Sequence, residues 1–234
     1  MVVLKKILDF YINSSLHVAL SAFALVFMTQ YFFGVEGDSS VVFFAFFGTV
    51  VGYNFVKYDA ITRLNKTEIK KELKAIVFLS FISLLACFYF FLQLSWMSKV
   101  SAFAFFGLTL LYTLPFFPNK QNARNWKGVK IYIVGITWVG VTVILPLVEA
   151  EIPFSMDVLL MVFQRFLLVF SIVLVFDIVD VKHDDIHLQT VPQKIGVELT
   201  KKLGYLLLFL LLFLEFFYTN NHHFLPLLFK LLVC

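Results

Sequence analysis

The sequence predicts an all-α fold, a polytopic transmembrane helical bundle forming a single integral membrane domain over residues 1–234. Three observations predict it. The chain is 61% hydrophobic with 31 phenylalanines and has a mean hydropathy of +0.91, far more apolar surface than a soluble domain of this length can bury. Apolar runs of roughly 20 residues, the length needed to cross a hydrocarbon core of ~30 Å, recur along it. Nearly all Lys and Arg residues fall in a few short loops on alternate sides of those runs.

Taken in order, the runs cover residues 16–33, 39–58, 75–94, 98–118, 131–149, 155–176 and 203–218, giving seven full spans. A last run, Phe224 to Cys234, reaches about half the required thickness at ~1.5 Å per residue and makes a partial eighth. The first run is too long for a signal-peptide core and no small-residue cleavage site follows it, so it is expected to be a true span. Lys5 and Lys6 precede the first run. Arg63, Lys66, Lys70, Lys71 and Lys74 follow the second; Lys120, Arg124, Lys127 and Lys130 follow the fourth; Lys182, Lys194, Lys201 and Lys202 follow the sixth. The opposite loops carry acids, as in Gly34-Val35-Glu36-Gly37-Asp38 and Glu149-Ala150-Glu151, with Lys99 their one nearby base. An excess of bases on the cytoplasmic side then places the N-terminus and two cap loops, 59–74 and 177–202, in the cytoplasm. A bacterial inner membrane is the simplest location for such a chain. In the first cap loop, Asn65 and Glu68 have the spacing of a capping box and predict a short helix, either a connector lying on headgroups or a lid.

Composition also sets limits. A formal charge of +4 is too small to suggest a nucleic-acid partner, and Cys87 and Cys234 have no metal-site or disulfide spacing.

The chemistry concentrates where the sixth run ends, in Phe176-Asp177-Ile178-Val179-Asp180-Val181-Lys182-His183-Asp184-Asp185. If the helix continues, Asp177, Asp180 and Asp184 stand at i, i+3 and i+7 and share one face. Such carboxylates suit hard cations, and Mg²⁺ usually completes its shell with water and substrate phosphates. The basic cytoplasmic loops would neutralise a diphosphate, so the combination fits an anionic ligand with a lipid tail. The rival reading is a polar loop paired with Lys182 and nearby bases.

Asp177-Ile178-Val179-Asp180, Asp184 and Thr190-Val191-Pro192-Gln193-Lys194-Ile195-Gly196 resemble the second aspartate motif of the UbiA superfamily of intramembrane prenyltransferases. Leu111-Tyr112-Thr113-Leu114-Pro115, followed by Arg124, Lys130 and Trp138, is similar to the region after that family's fourth helix. The resemblance implies a bundle with a central cavity open to membrane lipid, and Mg²⁺ bridging aspartates to an isoprenyl diphosphate. Ionisation of that diphosphate leaves an allylic cation that alkylates an acceptor, here unknown. By this resemblance Asp177, Asp180 and Asp184 would be the catalytic, metal-holding residues, and Asn54, Lys57, Tyr112, Arg124, Lys127 and Lys130 would hold the diphosphate.

The chain departs from the family pattern. The first motif opens on Asn54, but the positions four and eight residues later are Tyr58 and Thr62, and Asp59 is one residue out of register, about 100° round a helix. The family has nine helices. These departures favour the alternative, a non-catalytic membrane protein of the same fold serving as a lipid-binding or assembly partner. Arg165 and Glu215 also fall inside apolar runs, where charges default to functional hypotheses; a transporter pathway and a structural pair are the two readings for them.

Overall fold

The computed structural model describes residues 2–35, 39–64, 71–114, 126, 128–182 and 188–218, without the side chains of 2, 3, 59–64, 71 and 72. Every regular element among the described residues is helical. The helices are α1 (Val2–Asn13), α2 (Leu16–Phe32), α3 (Ser40–Leu64), α4 (Lys71–Gln93), α5 (Trp96–Thr113), α6 (Lys130–Val139), α7 (Leu145–Glu149), α8 (Met156–Asp180), α9 (Val191–Ile195) and α10 (Val197–Leu214).

Four stretches among the described residues are long and apolar enough to cross a membrane: Ser40–Tyr58, Leu73–Gln93, Lys130–Glu149 and Met156–Asp180. A fifth is counted if α1 and α2, bent by 63° at their junction, form one broken span. The difference from seven full spans has physical causes. Alone, α2 has 17 residues, about 25 Å at the usual rise. Both α5 and α10 have 18 residues, but Lys99 sits in the first turn of α5, and Glu198, Lys201 and Lys202 open α10. The run from Phe224 to Cys234, the predicted partial eighth, lies outside the described residues.

The chain divides into two compact units, residues 1–104 with 144–152, and residues 105–143 with 153–234. In the first, α2 packs on α3 and α3 on α4. Ala19, Ala22 and Val26 of α2 and Val41, Ala45 and Val50 of α3 are buried, small side chains that let backbones approach where no hydrophobic effect drives association. Phe90 of α4 stacks on Phe43 and Phe47 of α3, with centroids 5.1 and 6.0 Å away. Phe43 and Phe47 therefore contribute to the α3–α4 interface through Phe90. Glu149 accepts the backbone N–H of Ser95 through both oxygens, at 3.0 and 3.1 Å, a negative charge at the N-terminus of α5 where the helix dipole favours it.

The second unit packs α8 against α6 and α10. Its core is Ile131, Val169, Val173 and Leu174, with Trp138, Leu203 and Leu207 packed on it. Two glycines admit aromatic rings: a Cβ on Gly135 would stand 2.6 Å from the Phe166 ring, and one on Gly140 would collide with the Phe105 ring. At Gly140–Ile144 the helix widens into a π turn, just before Pro146. Proline has no N–H and its ring meets the carbonyl four residues back; the wide turn absorbs both at Thr142. The start of α8 is capped by Ser155, whose Oγ accepts from the Val158 N–H at 3.3 Å.

Candidate functional site at the end of α8

The apolar run of α8 does not stop at Phe176. The helix continues through Asp180, so Asp177 and Asp180 lie about 60° apart on one helix at 100° per residue. They have different surroundings. Asp177 is 3% exposed, whereas Asp180 is exposed.

Burial of a carboxylate requires a partner, and Asp177 has one. Lys130, the first residue of α6, donates from Nζ to Asp177 Oδ1 at 2.9 Å. Position along both helices makes this favourable: the carboxylate lies near the N-terminus of α6, and the ammonium lies near the C-terminal end of α8, each complementing a helix dipole. Two residues assigned by the resemblance to metal and to diphosphate thus hold each other.

Adjacent loop backbone is drawn to the same place. Gly128, at φ +68°, donates its N–H to the Leu188 carbonyl at 3.2 Å. A Cβ at Gly128 would lie 3.9 Å from Lys194 Nζ, so a second, exposed lysine stands beside the turn that leads into Lys130. In the sequence Lys194 stands among the loop bases and within the Thr190–Gly196 stretch of the resemblance, with no site role of its own. The segment Thr190 to Gly196 has a local structural account: Gln193 Oε1 accepts the Thr190 N–H at 3.0 Å, Pro192 lies in the first turn of α9, and Gly196 ends it at φ +82°. This is a helix start and stop written in seven residues.

No family model, curated protein or solved structure matches the chain. The site therefore rests on its own geometry.

Of the remaining predicted site residues, Tyr112 is half-buried on α5 in the second unit. Asn54 and Lys57 belong to the first unit, where both have local partners. Asn54, 4% exposed, donates from Nδ2 to Ser80 Oγ of α4 at 2.9 Å; its Oδ1 is buried with no partner among the described residues. Lys57 Nζ donates to the carbonyl and to the Oδ1 of Asn13, each at 3.3 Å, and the Tyr58 hydroxyl donates to the same carbonyl at 2.8 Å. They close the C-terminus of α1, whose last carbonyls have no helical partner. Asp184, Arg124 and Lys127 lie outside the described residues, as do Asn65 and Glu68.

Carboxylate oxygens are the donors a hard cation takes, and Asp177 and Asp180 supply that chemistry one turn apart. Lys130 already neutralises one of them. No cluster of three His, Cys, Asp or Glu side chains converges among the described residues, so a Mg²⁺ here would draw further oxygens from Asp184, from water or from a phosphate.

Deeper in α8, Arg165 is 4% exposed and its Nη2 lies 3.9 Å from Met161 Sδ. One residue away, Gln164 donates from Nε2 to Glu215 Oε2 at 3.0 Å and to the Leu211 carbonyl at 3.2 Å, while the Tyr218 hydroxyl donates to Gln164 Oε1 at 2.8 Å. This chain ties α8 to the end of α10. Glu215 thereby has a partner in Gln164, which carried no signal in the sequence beyond being polar in an apolar run.

Proposed function

We propose that this integral membrane protein is a UbiA-like prenyltransferase, a bundle of seven spans and a partial eighth, that binds an isoprenyl diphosphate at the cytoplasmic end of α8. It transfers the isoprenyl group to an acceptor. The N-terminus and the aspartate segment face the cytoplasm, and a bacterial inner membrane is its setting.

The observation that carries this reading is the pair of half-buried Lys130 and buried Asp177, closed at 2.9 Å at the end of a 25-residue helix, with Asp180 exposed one turn on and Lys194 beside Gly128. Lys130 and Lys194 supply positive charge for phosphate oxygens. Asp177 orients the Lys130 ammonium and offsets part of its charge, so Lys194 contributes the larger share of the attraction for a diphosphate, which is stronger near a protein surface than in bulk water. Mg²⁺, held by Asp180 and Asp184, would supply further neutralisation of the charge that grows on the leaving diphosphate.

A second reading is favoured by specific observations. Lys130 occupies an oxygen of Asp177, Lys57 and Tyr58 close the end of α1, and Tyr58 and Thr62 stand where acids would complete a second metal position. On that reading the chain is a non-catalytic, lipid-binding or assembly protein of the same fold. The deciding experiment is diphosphate release from geranylgeranyl diphosphate by the purified protein with Mg²⁺ and a panel of aromatic acceptors. Mg²⁺-dependent release that Asp180→Ala abolishes supports the transferase. No release by wild type, in protein that still binds the diphosphate, supports the second reading.

A further inference from the structure

Helix α1 belongs to no apolar run, yet its sequence is sharply two-sided. At 100° per residue, Lys5, Lys6, Asp9 and Asn13 fall within an arc of about 100°, and Leu4, Ile7, Leu8, Phe10, Tyr11 and Ile12 fill the roughly 200° opposite. An amphipathic helix normally buries such a face against protein. Here the face is bare: Leu4, Ile7 and Leu8 are 72, 61 and 53% exposed, and Phe10 and Ile12 are exposed too. The helix touches α2 and α4, and at its end the Tyr11 ring lies 5.8 Å from that of His17 and Asn13 takes Lys57 and Tyr58.

Three observations identify what covers it. First, α1 runs directly into α2 through the buried pair Ser14 and Ser15, with Ser15 at φ 59°, and α2 itself exposes Leu20, Phe27 and Tyr31. Second, the 63° bend turns α1 away from the axis of α2. A straight continuation would carry α1 off the end of the span into water with Leu4, Ile7 and Leu8 solvated, whereas a helix bent this far from a span lies closer to the membrane plane. Third, the two lysines lie opposite the apolar face, where headgroup phosphates stand when a helix rests in the interface plane.

We propose that α1 is an in-plane anchor that sinks Leu4, Ile7, Leu8 and Ile12 into the phospholipid interface and presents Lys5 and Lys6 to anionic headgroups. Lys57 and Tyr58 act as its latch, fixing the bend by holding the Asn13 carbonyl. The anchor does not depend on what the end of α8 binds.

Site-directed spin labelling tests it. Leu4→Cys, Lys5→Cys, Lys6→Cys, Ile7→Cys, Leu8→Cys, Asp9→Cys and Ile12→Cys are made singly in a Cys87→Ser, Cys234→Ser background. Each is reconstituted in phosphatidylcholine vesicles with and without phosphatidylglycerol. Expected are a helical alternation, with oxygen collisions dominating at 4, 7, 8 and 12 and a water-soluble nickel reagent dominating at 5, 6 and 9, and deeper immersion when phosphatidylglycerol is present. Lys5→Gln with Lys6→Gln, labelled at Leu8→Cys, removes that lipid dependence. Nickel access at every position overturns the proposal. So does shielding of 4, 7 and 8 from both reagents with spin–spin broadening, which means that a second copy covers the face. Oxygen dominance at every position also overturns it, because α1 is then part of a broken span.

Discussion

At the scale of single residues, the Lys130–Asp177 pair is the feature on which the site turns. A buried ion pair is weak evidence for net stability, but removing one member leaves the other charge stranded. Asp177→Ala is therefore expected to destabilise the protein by about 1–3 kcal/mol in SDS or thermal unfolding, less than for a fully buried pair because the stranded Lys130 is 20% exposed. Lys130→Met in the same background should recover much of that loss, and strict additivity of the two changes would show that the pair is not coupled. The sequence made both residues legible as polar groups at a membrane mouth, because charges next to apolar runs are conspicuous. Their pairing was not legible, since they are far apart in sequence and nothing in local spacing encodes which of several bases meets which acid. Asn54 and Lys57 teach the same lesson: Ser80 and Asn13 hold them, and both partners are unremarkable in the sequence.

Among the elements, the lengths of the apolar runs located the long helices, but with ends displaced. The predicted run 39–58 extends as α3 to Leu64, and the run 155–176 extends as α8 to Asp180, because hydropathy marks where lipid contact ends and not where backbone hydrogen bonding ends. The amphipathic α1 was hidden by its lysines, although its alternation at a helical period was the signal that could have found it. The π turn before Pro146 was legible only as a proline within an apolar run. Glycines offer a direct check on packing at this scale. Gly140→Ala puts a Cβ against the Phe105 ring and should cost about 1–3 kcal/mol by overpacking, while Gly107→Ala, with nothing within 4 Å, should be neutral or stabilising by about 0.5–1 kcal/mol. Equal effects of the two in SDS unfolding would refute the close approach of Phe105 to the helix at Gly140.

For the whole molecule, composition alone carried the class: 61% hydrophobic residues and 31 phenylalanines leave a bilayer as the natural solvent, and the helices among the described residues agree with it. Span count was less legible. Short helices such as α2, and helices that open on charge such as α10, cross a hydrocarbon core only with help from neighbours or from lysines reaching the interface. The central claim is that the end of α8 receives an isoprenyl diphosphate. It is tested most directly by titrating a fluorescent farnesyl diphosphate into the purified, folded protein in detergent, with Mg²⁺ and then with EDTA. The account predicts saturable binding that weakens when EDTA removes Mg²⁺ and is lost in Asp180→Ala. Absence of binding by the folded wild-type protein at any Mg²⁺ concentration would contradict it.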